Sequence, residues 1–279
     1  MLALFAGGVC IAFAPIFVRL SDTSPAASAF WRVALASLPL WLWVRLSPPP
    51  ASDTSHPTPW RALLLAGVFF AGDLALWHWS IAFTSVANAT LEANFAPIFV
   101  ALGAWLLFQQ RVSRPFIVAL CITLGGAILL IGPNIGDRRA LIGDALGIGT
   151  AVFYAGYMLA VKSAAAHASV ARIALVNTVV AALILAPFAL ATADQFWPQT
   201  AYGWSVLIAM ALIAHVLGQS LIAFGLGTVP AALGSVVLLI QPLLATVYAW
   251  IILDESMGPI QLVGGAIVLL GIYLARRAS

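Results

Sequence analysis

Residues 231–252 read AALGSVVLLIQPLLATVYAWII and contain no charged side chain. A helix needs about 20 mostly apolar residues to cross the hydrocarbon core of a bilayer, so this run predicts a transmembrane helix. Further apolar runs are found along the rest of the chain. The ten predicted spans are 2–20, 26–46, 60–83, 88–108, 114–132, 141–163, 169–190, 201–225, 231–252 and 260–275.

The composition of the whole chain agrees with this pattern. Of the 279 residues, 63% are hydrophobic and 8% are charged, whereas a soluble domain carries about 25% charged residues. A fold in water could not bury so much apolar surface, so lipid must be the solvent for most of the chain. The predicted fold class is therefore an all-α integral membrane protein. The net charge of +3 is small and the basic residues form no stripe, so no nucleic-acid partner is expected.

The two halves of the sequence repeat each other. One constant offset pairs Pro97 with Pro242 and Trp105 with Trp250. This predicts two five-helix repeats, residues 1–136 and 137–279. Because five is an odd number, the second repeat must enter the membrane from the opposite side. Inverted repeats of this kind are a known basis for alternating access, with the substrate site near the membrane midplane.

Residues 87–126 and 228–271, with their prolines, the Thr228-Val229-Pro230 start and the paired glycines, resemble the EamA repeats of the drug/metabolite transporter superfamily. The resemblance implies a ten-helix fold with two repeats and a cavity formed by spans one, three, four, six, eight and nine. It also implies export of amino acids or other small metabolites, and the aromatic-amino-acid exporters are the functional model that we favour. The acidic residue after the fourth helix of a repeat is Glu255 here, whereas Gln110 takes its place in the first half.

The distribution of Lys and Arg predicts the orientation, because cytoplasmic loops carry an excess of these residues. Placing both termini in the cytoplasm of an inner-membrane protein puts most of the 12 basic residues on the cytoplasmic side. Residues 47–59 then face the cytoplasm and residues 133–140 face outside. The basic residues assigned to the outer side are Arg19, Arg32, Arg138 and Arg139.

Ionisable side chains inside a bilayer cost roughly 2.5–3.5 kcal/mol at a helix centre, so they are the first candidates for a functional site. Asp73, near the middle of the third span, faces either a polar cavity or a helix partner. In the first case it could couple transport to a proton gradient, and in the second it only ties two helices together. His215, near the middle of the eighth span, either lines the transport path with Gln219 or packs against a neighbour. His78 and Glu92 lie toward the outer side, and Glu92 is either a gate or substrate contact or reaches interfacial water by snorkelling.

Polar and aromatic side chains of other spans complete the candidate site. The further residues assigned to substrate binding or to the path wall are Trp77, Asn94, Tyr154, Tyr157 and Gln241. Pro97 and Pro242 are assigned as hinges, because a proline prevents the helical bond to the carbonyl four residues earlier. The alternative for these prolines is a fixed bend.

These features favour a secondary transporter that moves a small molecule by alternating access. No Gly-rich phosphate loop ending in Gly-Lys-Ser/Thr occurs in the sequence. The alternatives are an intramembrane enzyme acting on lipid, which would need a nucleophile and base or a metal site, and a transporter for another metabolite class. We expect no catalytic residue, cofactor or metal, and a monomer or weak oligomer in the lipid bilayer.

Overall fold

The computed structural model describes residues 1–47, 59–83, 92–110, 112–131, 138–254 and 257–278. Within these ranges the chain forms helices joined by short connections, and no strand occurs there. Eight helical stretches are long and apolar enough to cross a membrane, and two shorter apolar helices complete the set. The all-helical fold with ten spans, predicted from the sequence, is confirmed.

The spans are numbered here from first to tenth in chain order. Their bounds are Leu2–Leu20, Pro25–Leu46, Trp60–Phe83, Ala96–Phe108, Arg114–Ile131, Arg138–Ala164, Val170–Thr192, Ala201–Thr228, Ala231–Leu253 and Pro259–Ala278. The fourth span is predicted to begin at residue 88, but residues 84–91 lie outside the described part of the chain.

Three spans are interrupted along their length. In the first span one helix ends at Ile11 and the next begins at Ala14, and in the ninth the helices end at Val237 and begin again at Ile240. The fourth span turns before its helix begins at Ala96. A proline follows each break and prevents the helical bond to the carbonyl four residues earlier, so continuous helices over 2–20 and 231–252 do not form. These prolines are Pro15, Pro97 and Pro242.

The eighth span contains a π-helix, Met210–Gln219, between two α-helical segments. π-helix is rare, occurs mostly as single turns inside α-helices and is frequently found at functional sites. The first and eighth spans approach each other closely through glycines. A Cβ atom added to Gly218 would lie 2.7 Å from Ile11 Cγ1, and one added to Gly7 would lie 2.8 Å from Ile222 Cγ1.

Six of the remaining spans pack in three close pairs, the third with the sixth, the second with the seventh and the fifth with the tenth, and the fourth span packs against the sixth and the ninth. Two glycines related by the repeat offset allow the contact of the fifth span with the tenth. A Cβ atom on Gly126 would lie 2.7 Å from the backbone nitrogen of Val268. One on Gly271 would overlap the side chain and backbone of Thr123. The fifth and tenth spans therefore each require a glycine where they cross.

The connection at residues 21–24 binds the connection at residues 193–200, and we call this contact the loop latch. Asp22 Oδ2 accepts hydrogen bonds from the backbone nitrogens of Gln199 and Thr200, both at 3.1 Å, and from Thr200 Oγ1 at 2.9 Å. Trp31 Nε1 donates to the carbonyl of Phe196 at 2.9 Å. The latch therefore joins a connection from the first half of the chain to one from the second half at one end of the bundle.

Candidate functional site

A cavity of about 150 Å³ lies inside the helix bundle. Its wall is formed by the first, second, third, fourth, sixth, eighth and ninth spans, so both halves of the chain contribute. The set implied by the family resemblance lacks the second span. The predicted site residues that lie in this wall are Asp73, Trp77, His78, Asn94, Tyr154, Gln219, Gln241 and Pro242.

The third span presents one face to the cavity. Phe70, Asp73, Leu74 and Trp77 recur at intervals of three and four residues, which places them along one side of an α-helix. His78 also lines the cavity; its Nδ1 is hydrogen-bonded to the carbonyl of Leu74. Its Nε2 is buried without a hydrogen-bond partner, so the free nitrogen is available to a bound molecule.

Arg32 of the second span lines the same cavity and was missed by the sequence reasoning. Its side chain is 8% exposed, and its Nε is buried without a hydrogen-bond partner. Its Cζ lies 5.9 Å from the centroid of the Phe70 ring, within the range of a cation–π contact. From its sequence position Arg32 is assigned to the outer side, although it lies within the predicted span 26–46, six residues after its start, and this placement is the signal of a buried ionisable group.

The sixth, eighth and ninth spans add hydrogen-bonding groups. The hydroxyl of Tyr157 donates to Gln219 Oε1 at 3.0 Å, which fixes the orientation of the Gln219 amide in the wall. Gln241 Nε2 is buried without a hydrogen-bond partner. Gln241 lies directly before Pro242 at the break of the ninth span, so the break brings a polar side chain to the cavity.

Two of the predicted residues lie behind the wall. His215 is 1% exposed, and its Nε2 is hydrogen-bonded to Thr178 Oγ1 of the seventh span at 2.7 Å. The structure therefore places it at a contact between spans, as in the packing alternative. Tyr157 is fully buried and supports Gln219 from behind.

Glu92 and Pro97 also lie outside the wall. Glu92 is 9% exposed and packs against Gly147 of the sixth span, where an added Cβ atom would collide with its carboxyl group. Asp144, one turn earlier on the sixth span, interacts with the same carboxyl group. Pro97 is buried in the first turn of its helix. Glu255, the acidic residue implied by the family resemblance, lies outside the described residues.

The ten-span fold and a mostly apolar cavity with a few ionisable and polar side chains define a class, namely multi-pass membrane proteins that carry small molecules. The model of the EamA-like transporter family matches residues 1–132 and 141–277, and the chain belongs to this family. The two matched segments correspond to two repeats.

Two curated relatives match most of the chain. The pseudopaline exporter CntI of Pseudomonas aeruginosa is 25% identical over 260 residues, which cover 93% of this chain and 89% of the relative. The threonine/homoserine exporter RhtA of Escherichia coli is 30% identical over 225 residues, which cover 75% of this chain and 72% of the relative. A solved crystal structure superimposes with a TM-score of 0.82 at 16% identity, covering 99% of this chain and 97% of the other, and shows the same fold.

Proposed function

We propose that this protein is a secondary transporter that exports amino acids, aromatic ones favoured, across the bacterial inner membrane by alternating access. The observation that carries the proposal is the cavity between the helices, where charged, polar and aromatic side chains from both halves of the chain converge. Ionisable groups at this depth are costly, and a substrate path gives them a function.

The chemistry of the wall supports amino acids as the substrate class. Arg32 and Asp73 supply opposite charges, and Phe70, Trp77 and Tyr154 supply aromatic surface. Most ligand sites combine an apolar wall with a few placed polar groups in this way. One relative is named for threonine and homoserine, which are amino acids.

The interrupted spans support the mechanism. The breaks in the first, fourth and ninth spans lie at the cavity, where a change of angle between the two parts of a span would alter access to it. We propose Pro97 and Pro242 as the hinges of two halves, residues 1–136 and 137–279, that are inverted relative to each other. The excess of Lys and Arg on one side of the predicted topology supports our proposal that both termini face the cytoplasm.

Proton coupling is proposed through Asp73, the carboxylic acid among the described residues of the wall. A carboxyl group that binds and releases a proton inside the cavity would link transport to the proton gradient. The variant Asp73→Asn keeps the shape and can still hydrogen-bond, but it cannot carry a proton. At saturating substrate it is expected to exchange substrate across a liposome membrane without responding to a pH gradient.

The test of transport is an uptake assay with the purified protein in liposomes, using a panel of radiolabelled amino acids with and without a pH gradient. Ala245→Trp fills the cavity and is expected to abolish uptake, because Ala245 lies in the wall. Ala266→Trp, at an exposed position of the tenth span, is the matched control and is expected to leave uptake unchanged. Uptake of none of the panel, or equal uptake by both variants, would overturn the proposal.

A further inference from the structure

Arg32 is a permanent positive charge inside the bilayer-spanning part of the protein. Arginine stays protonated in proteins, since its pKa in water is above 12. Its side chain is 8% exposed, yet its Nε has no hydrogen-bond partner. A guanidinium group offers five donors in a planar fork, which matches the two oxygens of a carboxylate. The unused donor lies on a residue of the cavity wall.

Asp73 provides the opposite charge in the same cavity. It lies on the face of the third span that also carries Phe70 and Trp77. An ionised Asp73 and Arg32 attract each other, so the cavity is close to neutral when both groups are charged. The guanidinium is held over the ring of Phe70 at 5.9 Å, which leaves its edge for another partner.

We propose that Arg32 and Asp73 recognise the two charges of a single substrate, with Arg32 binding a carboxylate and Asp73 binding an ammonium group. This inference rests on the proposed function and extends it by naming the residues that select the substrate. The site then selects zwitterions that carry a free carboxylate and a free amine.

Charge balance supports this selection. A zwitterion adds no net charge to a neutral cavity, and each of its ends gains a partner of opposite sign. A molecule with only one of the two charges leaves either Arg32 or Asp73 without a new partner and adds a net charge in a region of low dielectric constant, where electrostatic energies are large. The site therefore prefers zwitterions to molecules with a single charge, whatever the side chain of the substrate.

The remaining polar groups fit the two ends of such a substrate. Gln241 Nε2 is a buried donor without a partner and could add to the carboxylate contact. The carbonyl and hydroxyl oxygens of the wall, including that of Tyr154, could accept from the ammonium group. Alternatively, Arg32 and Asp73 only stabilise the packing of the second and third spans, and this alternative predicts no dependence on the charges of the substrate.

The test measures binding as the thermal stabilisation of the purified protein by added compounds. It uses two triplets of compounds, each an amino acid with two analogues that lack one of its charged groups. The first is L-phenylalanine with phenethylamine, which lacks the carboxylate, and 3-phenylpropionate, which lacks the amine. The second is L-homoserine with 3-aminopropan-1-ol and 4-hydroxybutyrate, which lack the same groups. In at least one triplet the analogues are expected to bind about 10- to 100-fold more weakly than the amino acid, as the loss of a charge-assisted hydrogen bond implies. This measurement needs only the unaltered protein.

Two variants then assign each charge to its residue. Arg32→Gln is expected to lose the amino acid while keeping the probe that has only the amine. Asp73→Asn is expected to bind the amino acid about 10- to 100-fold more weakly, so that it still exchanges substrate at saturation, while keeping the probe that has only the carboxylate. Arg32→Lys keeps the charge without the planar fork and is expected to retain part of the affinity. A purely structural role would weaken all three probes alike and would overturn the assignment.

The outcomes separate this inference from the proposed function. Transport of amino acids with equal binding of the analogues overturns the inference and leaves the function standing. Zwitterion-selective binding without transport supports the inference and overturns the function. If neither triplet binds to the folded protein, the inference is overturned, and the uptake panel decides the function separately.

Discussion

Phe70 contacts three of the groups on which the candidate site depends. Its ring lies 5.9 Å from Arg32 Cζ, 5.0 Å from the ring centroid of Tyr157 and 5.4 Å from that of His215. It is 2% exposed and also forms part of the cavity wall. The Phe70 ring thus positions the Arg32 guanidinium in the cavity wall. It also connects the wall to Tyr157 and His215, which lie behind it.

The hydrogen bond between Thr178 and His215 tests whether His215 is structural. Thr178→Val removes this bond between the seventh and eighth spans and is expected to lower the free energy of unfolding by about 1 kcal/mol, as for interhelical bonds in membranes. The apparent substrate affinity should stay the same, because neither side chain lies in the cavity wall. The control is Thr192→Val on the same span, since Thr192 is exposed and bonds only within its helix. If Thr178→Val changes KM without changing stability, His215 acts in the transport path and not only in packing.

Asp73 and Arg32 show what a sequence can reveal about a site. A carboxylate in the middle of an apolar run stands out because burying it is costly, so Asp73 could be predicted. Arg32 carries the same signal, but it lies nearer the end of its span, where a long cationic side chain commonly reaches the interface. Whether it turns inward depends on the packing of the second span against the third, which the sequence does not display.

The interrupted spans are the elements on which the proposed hinges depend. Pro97→Ala and Pro242→Ala restore a backbone donor and permit a continuous helix, so we expect slower transport by both variants, with an unchanged KM for Pro97→Ala because Pro97 lies outside the cavity wall. Pro187→Ala is the control, because Pro187 lies at an exposed position inside the continuous seventh span. The measurement is initial uptake in liposomes. Equal rates for all three variants would show that the breaks are fixed bends.

The crossing of the fifth and tenth spans gives a prediction with a neighbouring control. A Cβ atom on Gly126 would lie 2.7 Å from the Val268 nitrogen and 2.9 Å from the Gly264 oxygen. These are backbone atoms that cannot rotate away, so Gly126→Ala should destabilise the protein by about 1–3 kcal/mol. A Cβ atom on Gly125 meets nothing within 4 Å, so Gly125→Ala should be neutral or slightly stabilising. Thermal unfolding in detergent compares the two; equal melting temperatures would contradict the close crossing.

Elements differ in how far the sequence determines them. The prolines at 97 and 242 mark positions where a break is favoured, although Pro187 lies inside a continuous helix, so proline alone does not decide where a span is interrupted. The π-helix Met210–Gln219 has no comparable mark, because its residues would also form an ordinary α-helix. The close approach of Gly218 to the first span is a tertiary contact, and contacts of this kind decide such local geometry.

For the whole molecule, the orientation in the membrane is the prediction that follows from charge alone. In a background without Cys10 and Cys121, a thiol at Ser52→Cys is expected to react with an impermeant reagent only from the cytoplasmic side. A thiol at Asp194→Cys, in the connection between the seventh and eighth spans, is expected to react only from outside. The reverse pattern in right-side-out vesicles would invert the topology.

Ten spans could be predicted because lipid imposes a simple rule on composition and length, and two repeats because one constant offset pairs Pro97 with Pro242 and Trp105 with Trp250. The arrangement of the spans around the cavity was implied by the family resemblance, except that the second span was missing. The omission of the second span and the assignment of Arg32 to the outer side have the same cause. Arg32 lines the cavity because the second span forms part of the cavity wall.

The tryptophans at and beside the loop latch provide an intrinsic spectroscopic signal of the state of this end of the bundle. Trp31 has ring centroids of Trp197 at 5.0 Å and Trp204 at 5.1 Å, so three indoles are close enough to influence each other's absorption and emission. Opening this end of the bundle would separate the three indole rings and expose Trp31 to water. The near-ultraviolet circular dichroism signal would then fall and the fluorescence maximum would move to longer wavelength. Unlabelled protein would therefore reveal, in real time, which substrates drive the change of access.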